Sequence, residues 1–134
     1  MSLLETCASV AIISAVVFFA APSLIRAREN YQLDLTARQV AGKMAWTRIK
    51  AISRSRNCRL RLISNVSYVI ECGNSAWQTH ETVTLPRGFQ LTATAAPQFH
   101  KHGNAAPAGT ITIWDRRMNS RRVVVNFTGR INVE

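Results

Sequence analysis

At 134 residues the chain has room for about one domain, and its seven acidic residues lie too far apart for a paired-carboxylate active site. Seventeen Lys and Arg leave a net charge of +10, which favours anionic partners: lipid headgroups, nucleic acid or an acidic neighbouring subunit. The apolar fraction of 47% is ordinary in amount but lopsided in placement.

The first predicted element begins MSLLETCASVAIISAVVFFAAPS. Residues 6–25 carry no charge, and about 20 such residues are what a helix needs to cross the ~30 Å hydrocarbon core of a bilayer. A cleavable secretory signal fits less well. It would begin with a positive region, whereas here Glu5 precedes the apolar run and no Lys or Arg does. A carboxylate at the edge of hydrocarbon needs a reason. Either Glu5 lies in the first helical turn, where the helix dipole favours an acid, or it pairs with a cation of another chain.

The helix is expected to run on. ARENYQLDLTARQVAGKMAWTRIKAIS has no proline, and Leu33, Ala37, Val40, Met44 and Ala51 fall at helical spacing, with Ala41, Ala45, Ile49 and Ile52 widening the stripe. The sequence thus predicts one helix over residues 2–53, roughly 75 Å long at ~1.5 Å per residue. Residues 1–25 form its membrane half and residues 26–53 its amphipathic half. Pro22 removes one helical hydrogen bond, so a kink is expected there. Ten basic residues fall within 26–61, from Arg26 to Arg61, against Glu29 and Asp34.

Residues 54–134 read as an antiparallel β domain. RNCRLRLISNVSYVIECGN alternates as strand, short turn and strand. Cys58 and Cys72 are an even pair in this part, compatible with a disulfide in an oxidising compartment. If Cys58 faces Cys72, the turn centres on Asn65 and the register is self-consistent, with 60 opposite 70 and 62 opposite 68. Cys7 behaves as a small hydrophobe. Further strands are expected in HETVTLP, GFQLTAT, GTITIWD, RRVVVNF and GRINVE, one sheet whose apolar face covers the helix. CGNSAWQ and AAPQFHKHGNAAPAG read as loops, the second as an irregular surface excursion.

Met1-Ser2-Leu3-Leu4-Glu5, the uncharged run, Pro22 and the long amphipathic continuation together resemble the mature N-terminus of type IV pilins and type II secretion pseudopilins. In that family a processed, N-methylated residue, mostly Phe, comes first, with an acid fifth and a proline twenty-second. Met1 departs from the usual Phe and stands either as the processed residue or as an initiator, and the leader that prepilin peptidase removes is not in this sequence. GTITIWD and RRVVVNFTGRINVE, with Gly129-Arg130, look like the end of the pseudopilin H and FimT-like minor pilin family, a shorter match.

The resemblance implies an α+β pilin fold. It implies a structural subunit of a type IV filament, pseudopilin or minor pilin, in type II secretion or pilus biogenesis. The subunit would wait in a bacterial inner membrane, single-pass with a periplasmic C-terminal domain, before entering a periplasmic pseudopilus or extracellular pilus. Met1, Glu5 and Pro22 are then the assembly residues, with the Glu5 carboxylate meeting a neighbour's Met1 amine. The basic stretch after Arg26 would stand on the periplasmic side, against the positive-inside bias, unless a basic leader redresses it. Two alternatives stand beside this reading: a major pilin, and a DNA-binding minor pilin of natural competence. For DNA, the residues are Arg116, Arg117, Arg121, Arg122 and Arg130, although the Gly-Arg-x-Arg of DNA-uptake members ends here in Asn132. The competing reading of these arginines is a solvated hairpin that keeps the protein soluble or pairs with acids on the next subunit.

His100 and His102 have H-x-H spacing but no third ligand near in sequence, and His80 stands apart, so no metal site is expected. No catalytic triad order or phosphate loop is present. Neither an enzyme nor a cofactor is expected.

Overall fold

The structure is a computed structural model and describes residues 2–134. Helix α1 spans Leu3–Arg54. Ser2 caps it, its Oγ accepting the Glu5 N–H at 3.3 Å. At the far end Ser55 turns into the left-handed region (φ 49°) and the Arg56 N–H reaches back to the Ala51 carbonyl at 3.1 Å. Eight strands follow: β1 (Cys58–Leu62), β2 (Ser67–Cys72), β3 (Gln78–Thr84), β4 (Gln90–Ala93), β5 (Gln98–Phe99), β6 (Gly109–Trp114), β7 (Ser120–Val125) and β8 (Ile131–Val133).

The chain divides into two units, Met1–Gln32 and Leu33–Glu134. In the first, the apolar side chains along α1 stay exposed, Phe18 at 77% and Phe19 at 78%. In the second, called the β unit below, α1 buries Leu33, Thr36, Ala37, Val40, Met44, Thr47 and Ala51. Those steps of three and four follow one helical stripe, as the sequence pattern requires. The stripe is narrower on one side than expected: Ala45 is exposed, Ile49 is 63% exposed and Ile52 is 45% exposed.

The strands form two four-stranded sheets, not one. Their orders are β3-β2-β1-β5 and β4-β6-β7-β8, and every pairing is antiparallel. The core joins them in one cluster: Leu60, Tyr68 and Ile70 of the first sheet, Leu91, Ile111, Ile113, Val123 and Val125 of the second, and Leu33, Ala37, Val40, Met44 and Ala51 of the α1 stripe. The first hairpin takes the expected register, Cys58 opposite Cys72, Leu60 opposite Ile70 and Leu62 opposite Tyr68.

The long loop is where the sequence misleads. Its Ala, Pro, Gly and His content reads as a surface excursion, yet Phe99 is fully buried and Ala105 nearly so, and the two form a β bridge. Strand β5 pairs Phe99 with Cys58 on the edge of the first sheet. A two-residue strand has no period to show, so composition alone could not reveal it.

Candidate functional site

In unit Met1–Gln32 the Ser2-Leu3-Leu4-Glu5 stretch forms a cap in which the acid occupies the third helical position. The Glu5 carboxylate is exposed and has no ion-pair partner among the described residues. Its backbone carbonyl accepts the Ser9 hydroxyl at 2.9 Å. Pro22 lies inside α1, which stays helical through it. Proline has no N–H, so the Phe18 carbonyl lacks its usual partner four residues on. Met1 lies outside the described residues, so its part in processing and assembly has no structural counterpart here. Residues 3–54 include a stretch long and apolar enough to cross a membrane, with none of that stretch buried.

In the β unit, Cys58 and Cys72 form a disulfide with Cα atoms 4.1 Å apart. On the outer face of the same hairpin sits Glu71, only 5% exposed. Arg61 donates to its Oε1 at 2.7 Å and Arg59 to its Oε2 at 2.8 Å, and the Arg59 guanidinium lies 4.0 Å over the Trp77 ring. The Arg61 hydrogen bond, helped by Arg59, holds the Glu71 carboxyl below the usual glutamate range.

The five C-terminal arginines do not converge. Arg116 and Arg117 lie in the β6–β7 turn, where Asp115 Oδ1 accepts the N–H groups of Arg117 and Asn119 at 2.8 Å. Arg121 and Arg122 are consecutive in β7 and so point to opposite faces. Arg121 shares the face of buried Val123 and meets Asp34 at 3.7 Å; Arg122 meets Glu134 at 3.3 Å. Arg130 follows the other end of β7.

Gly129-Arg130 has a steric meaning. Gly129 (φ +81°) stands so close to the Gly103 carbonyl that a Cβ would lie 1.9 Å from its oxygen, and Arg48 of α1 donates to that same oxygen at 2.8 Å. The long loop, the β7–β8 turn and the helix are thereby locked together. His100 takes part in the loop's own packing, with Nδ1 3.1 Å from Asn57 Oδ1 and Nε2 3.1 Å from the Ala106 carbonyl. His80 lies in β3.

One feature had only a partial signal in the sequence. On α1 the Lys43 and Lys50 ammonium groups lie 5.9 and 4.2 Å from the centre of the exposed Trp46 ring. The spacing 43, 46, 50 was legible as a helical face, but its partners on β3 were not. Lys43 bridges to Glu81 of β3 at 2.6 Å.

A long apolar helix whose second half is packed on small antiparallel sheets is the architecture of pilin-like filament subunits. The sequence profile of the family described as Type II transport protein GspH matches residues 36–129, and the chain belongs to that family. Two solved structures share the fold. The minor pseudopilin EpsH from the Type 2 Secretion System of Vibrio cholerae has TM-score 0.67 at 14% identity, covering 77% of this chain and 96% of its own. The type IV minor pilin FimU of Pseudomonas aeruginosa has TM-score 0.66 at 16% identity, covering 79% and 90%. No curated protein sequence matches. The chain is a structural subunit of a type IV filament, of the pseudopilin or minor pilin kind, and not an enzyme. It assembles with other pilin-like subunits and is anchored in a membrane through its apolar helix.

Proposed function

We propose that the chain is a minor subunit of a secretion-system filament, held before assembly in a bacterial inner membrane as a single-pass protein. Residues 1–25 lie in lipid, residues 26–53 continue the helix outside it, and residues 54–134 complete a periplasmic β domain. Prepilin peptidase exposes Met1 as the processed, methylated end. The family described as a Type II transport protein supports the secretion side of this reading.

The observation that carries it is the state of residues 3–25. Their large apolar side chains are exposed, and at their edge sits a carboxylate without an ion-pair partner among the described residues. Burying each such side chain is worth about 1.5–3 kcal/mol, so the helix belongs in lipid or among other helices. Leaving lipid for a filament gains little from apolar burial, because lipid tails are already apolar. An acid paired only in the filament supplies a difference between the two environments. The Glu5 carboxylate is that acid, and a neighbour's Met1 amine is its cation. Pro22 gives the helix a weak point at which it can adjust on assembly.

Glu5→Ala tests this directly. Membrane insertion is expected to continue while incorporation into filaments, followed by immunoblot of sheared filaments, falls about tenfold or more. Normal incorporation of the alanine variant would sink the reading. The same blot gives the share of this chain in the filament, expected to be small; a filament made of this chain alone makes it the major subunit.

A further inference from the structure

Helix α1 and strand β3 border a groove of about 630 Å³ within the β unit, lined by Val40, Gly42, Trp46, Val83 and Leu85 and crossed by the Lys43–Glu81 bridge. Gly42 is unusual there. A glycine inside a helix costs about 1 kcal/mol relative to alanine. Elsewhere in this fold tight glycines are explained by a neighbour's backbone, as at Gly129. At Gly42 nothing lies within 4 Å of the place a Cβ would take. The chain's own packing does not require the space above Gly42.

Beyond the groove the same helix face turns cationic. Lys43, Trp46, Lys50 and Arg54 succeed one another at steps of three and four, which stacks them on one ridge. His80 joins from β3. It is the extra residue of a bulge, since Ile70 pairs with Glu81 and Glu71 with Thr79. Burial, then the charges of Lys50, Arg54 and Arg56, holds its imidazole below the usual histidine range. Burial and Arg54 likewise push Lys50 down, against a smaller pull from Glu81. Glu81 is the acid facing this cluster, and it is engaged by Lys43.

A second copy of this chain is a poor occupant. Every acid of the β unit is engaged internally: Asp34 by Arg38 and Arg121, Glu71 by Arg59 and Arg61, Glu81 by Lys43, Asp115 by its turn, and Glu134 by Arg122. Two copies bring like charges of +10 together with no uncommitted carboxylate from either β unit.

We propose that the groove and the ridge beyond it dock an acidic segment of a different polypeptide, with an apolar side chain seated over Gly42 beside Trp46 and carboxylates against Lys50, Arg54 and Arg56. The proposal rests on the reading of the chain as a filament subunit. It adds that the neighbour on this face is a different, acidic chain, chosen by charge.

Photocrosslinking in cells producing the whole filament system tests it with the full chain. One photoreactive side chain replaces Gly42, where the open space accepts it, and a second, in a separate variant, replaces Val16 of the apolar helix. The Gly42 probe is expected to give an adduct with a different filament subunit, mapped by mass spectrometry to a segment rich in Asp and Glu. Combined Lys50→Gln, Arg54→Gln and Arg56→Gln should lower that adduct about tenfold and leave the Val16 adduct unchanged. Non-reducing gel mobility of the Cys58–Cys72 disulfide checks that the variant is folded. With Val16 crosslinked to subunits, any of four outcomes at Gly42 overturns the proposal alone: a second copy of this chain, lipid, nucleic acid, or no adduct. Absence of subunit adducts at both positions overturns the filament reading and the proposal with it.

Discussion

Residues 3–25 and the β unit solve the problem of apolar side chains in opposite ways. In the β unit, stripe and sheet faces meet each other, and each acid has a partner within the same unit. Along residues 3–25 no side chain is buried, and the acid at the edge has no ion-pair partner among the described residues. One region is finished by its own chain; the other is completed only by an environment. Substitutions in the first should therefore register as stability, and in the second as assembly.

The largest expected contrast is between two phenylalanines. Phe99→Ala removes a fully buried ring and should cost about 3–5 kcal/mol, lowering the melting temperature of the full chain in detergent by more than about 10 °C. Phe18→Ala, at a 77% exposed ring, should leave that melting temperature unchanged. A similar loss at both positions would erase the distinction between the regions.

Next comes the disulfide. Cys58 and Cys72 are 14 residues apart in sequence, and removing a crosslink over such a loop costs about 3 kcal/mol. The Cys58→Ser, Cys72→Ser variant should unfold at correspondingly lower denaturant, while membrane insertion of residues 3–25 continues. Two glycines give a smaller and opposite pair of effects. Gly129→Ala meets both a positive φ and the Gly103 oxygen, so a loss of about 1–3 kcal/mol is expected. Gly42→Ala meets nothing and should gain up to about 1 kcal/mol by helix propensity.

The acid Glu71 sharpens the comparison through pH. Its folded-state pKa is depressed, so its contribution is fully present above the ordinary glutamate value of 4.5 and drains away as pH falls below it. Melting between about pH 6 and pH 3 should therefore show a steeper loss for the natural chain than for Glu71→Gln. Asp34, lowered chiefly by its hydrogen bond to Arg38, adds a loss of the same sign that the variant keeps. The Gln variant itself leaves two arginines without their charge partner and should cost about 1–3 kcal/mol at neutral pH.

How much of this was readable in the sequence depends on whether a residue's role is local. The helix announced itself through the recurrence of Leu33, Ala37, Val40, Met44 and Ala51, and the first hairpin through alternation and its two cysteines. Phe99 and Ala105 gave no sign, because their burial comes from pairings too short to have a period. The second sheet was hidden for a related reason: strand signals fix existence and face but not which strands share a sheet. The Glu5 and Pro22 positions could be recognised as a pattern, while the Gly42 groove is a statement about empty space, which no string of residues encodes. His80 belongs to the same class, since it reaches the cationic ridge only through a bulge.

The smallest effect is expected at the five C-terminal arginines. If Arg116, Arg117, Arg121, Arg122 and Arg130 made one phosphate-binding surface, removing two of them would cut DNA affinity sharply and flatten its salt dependence. The strand geometry argues against one surface, because Arg121 and Arg122 face opposite sides of β7 and each already meets a carboxylate. A +10 chain will still attract DNA weakly at low salt. In gel-shift titrations of the full chain at about 150 mM salt, Arg121→Ala with Arg122→Ala should change the apparent Kd by less than about threefold, uniformly across sequences. A loss of tenfold or more would mean that the two faces act together on DNA, and would move the chain toward the uptake reading that its arginines first suggested.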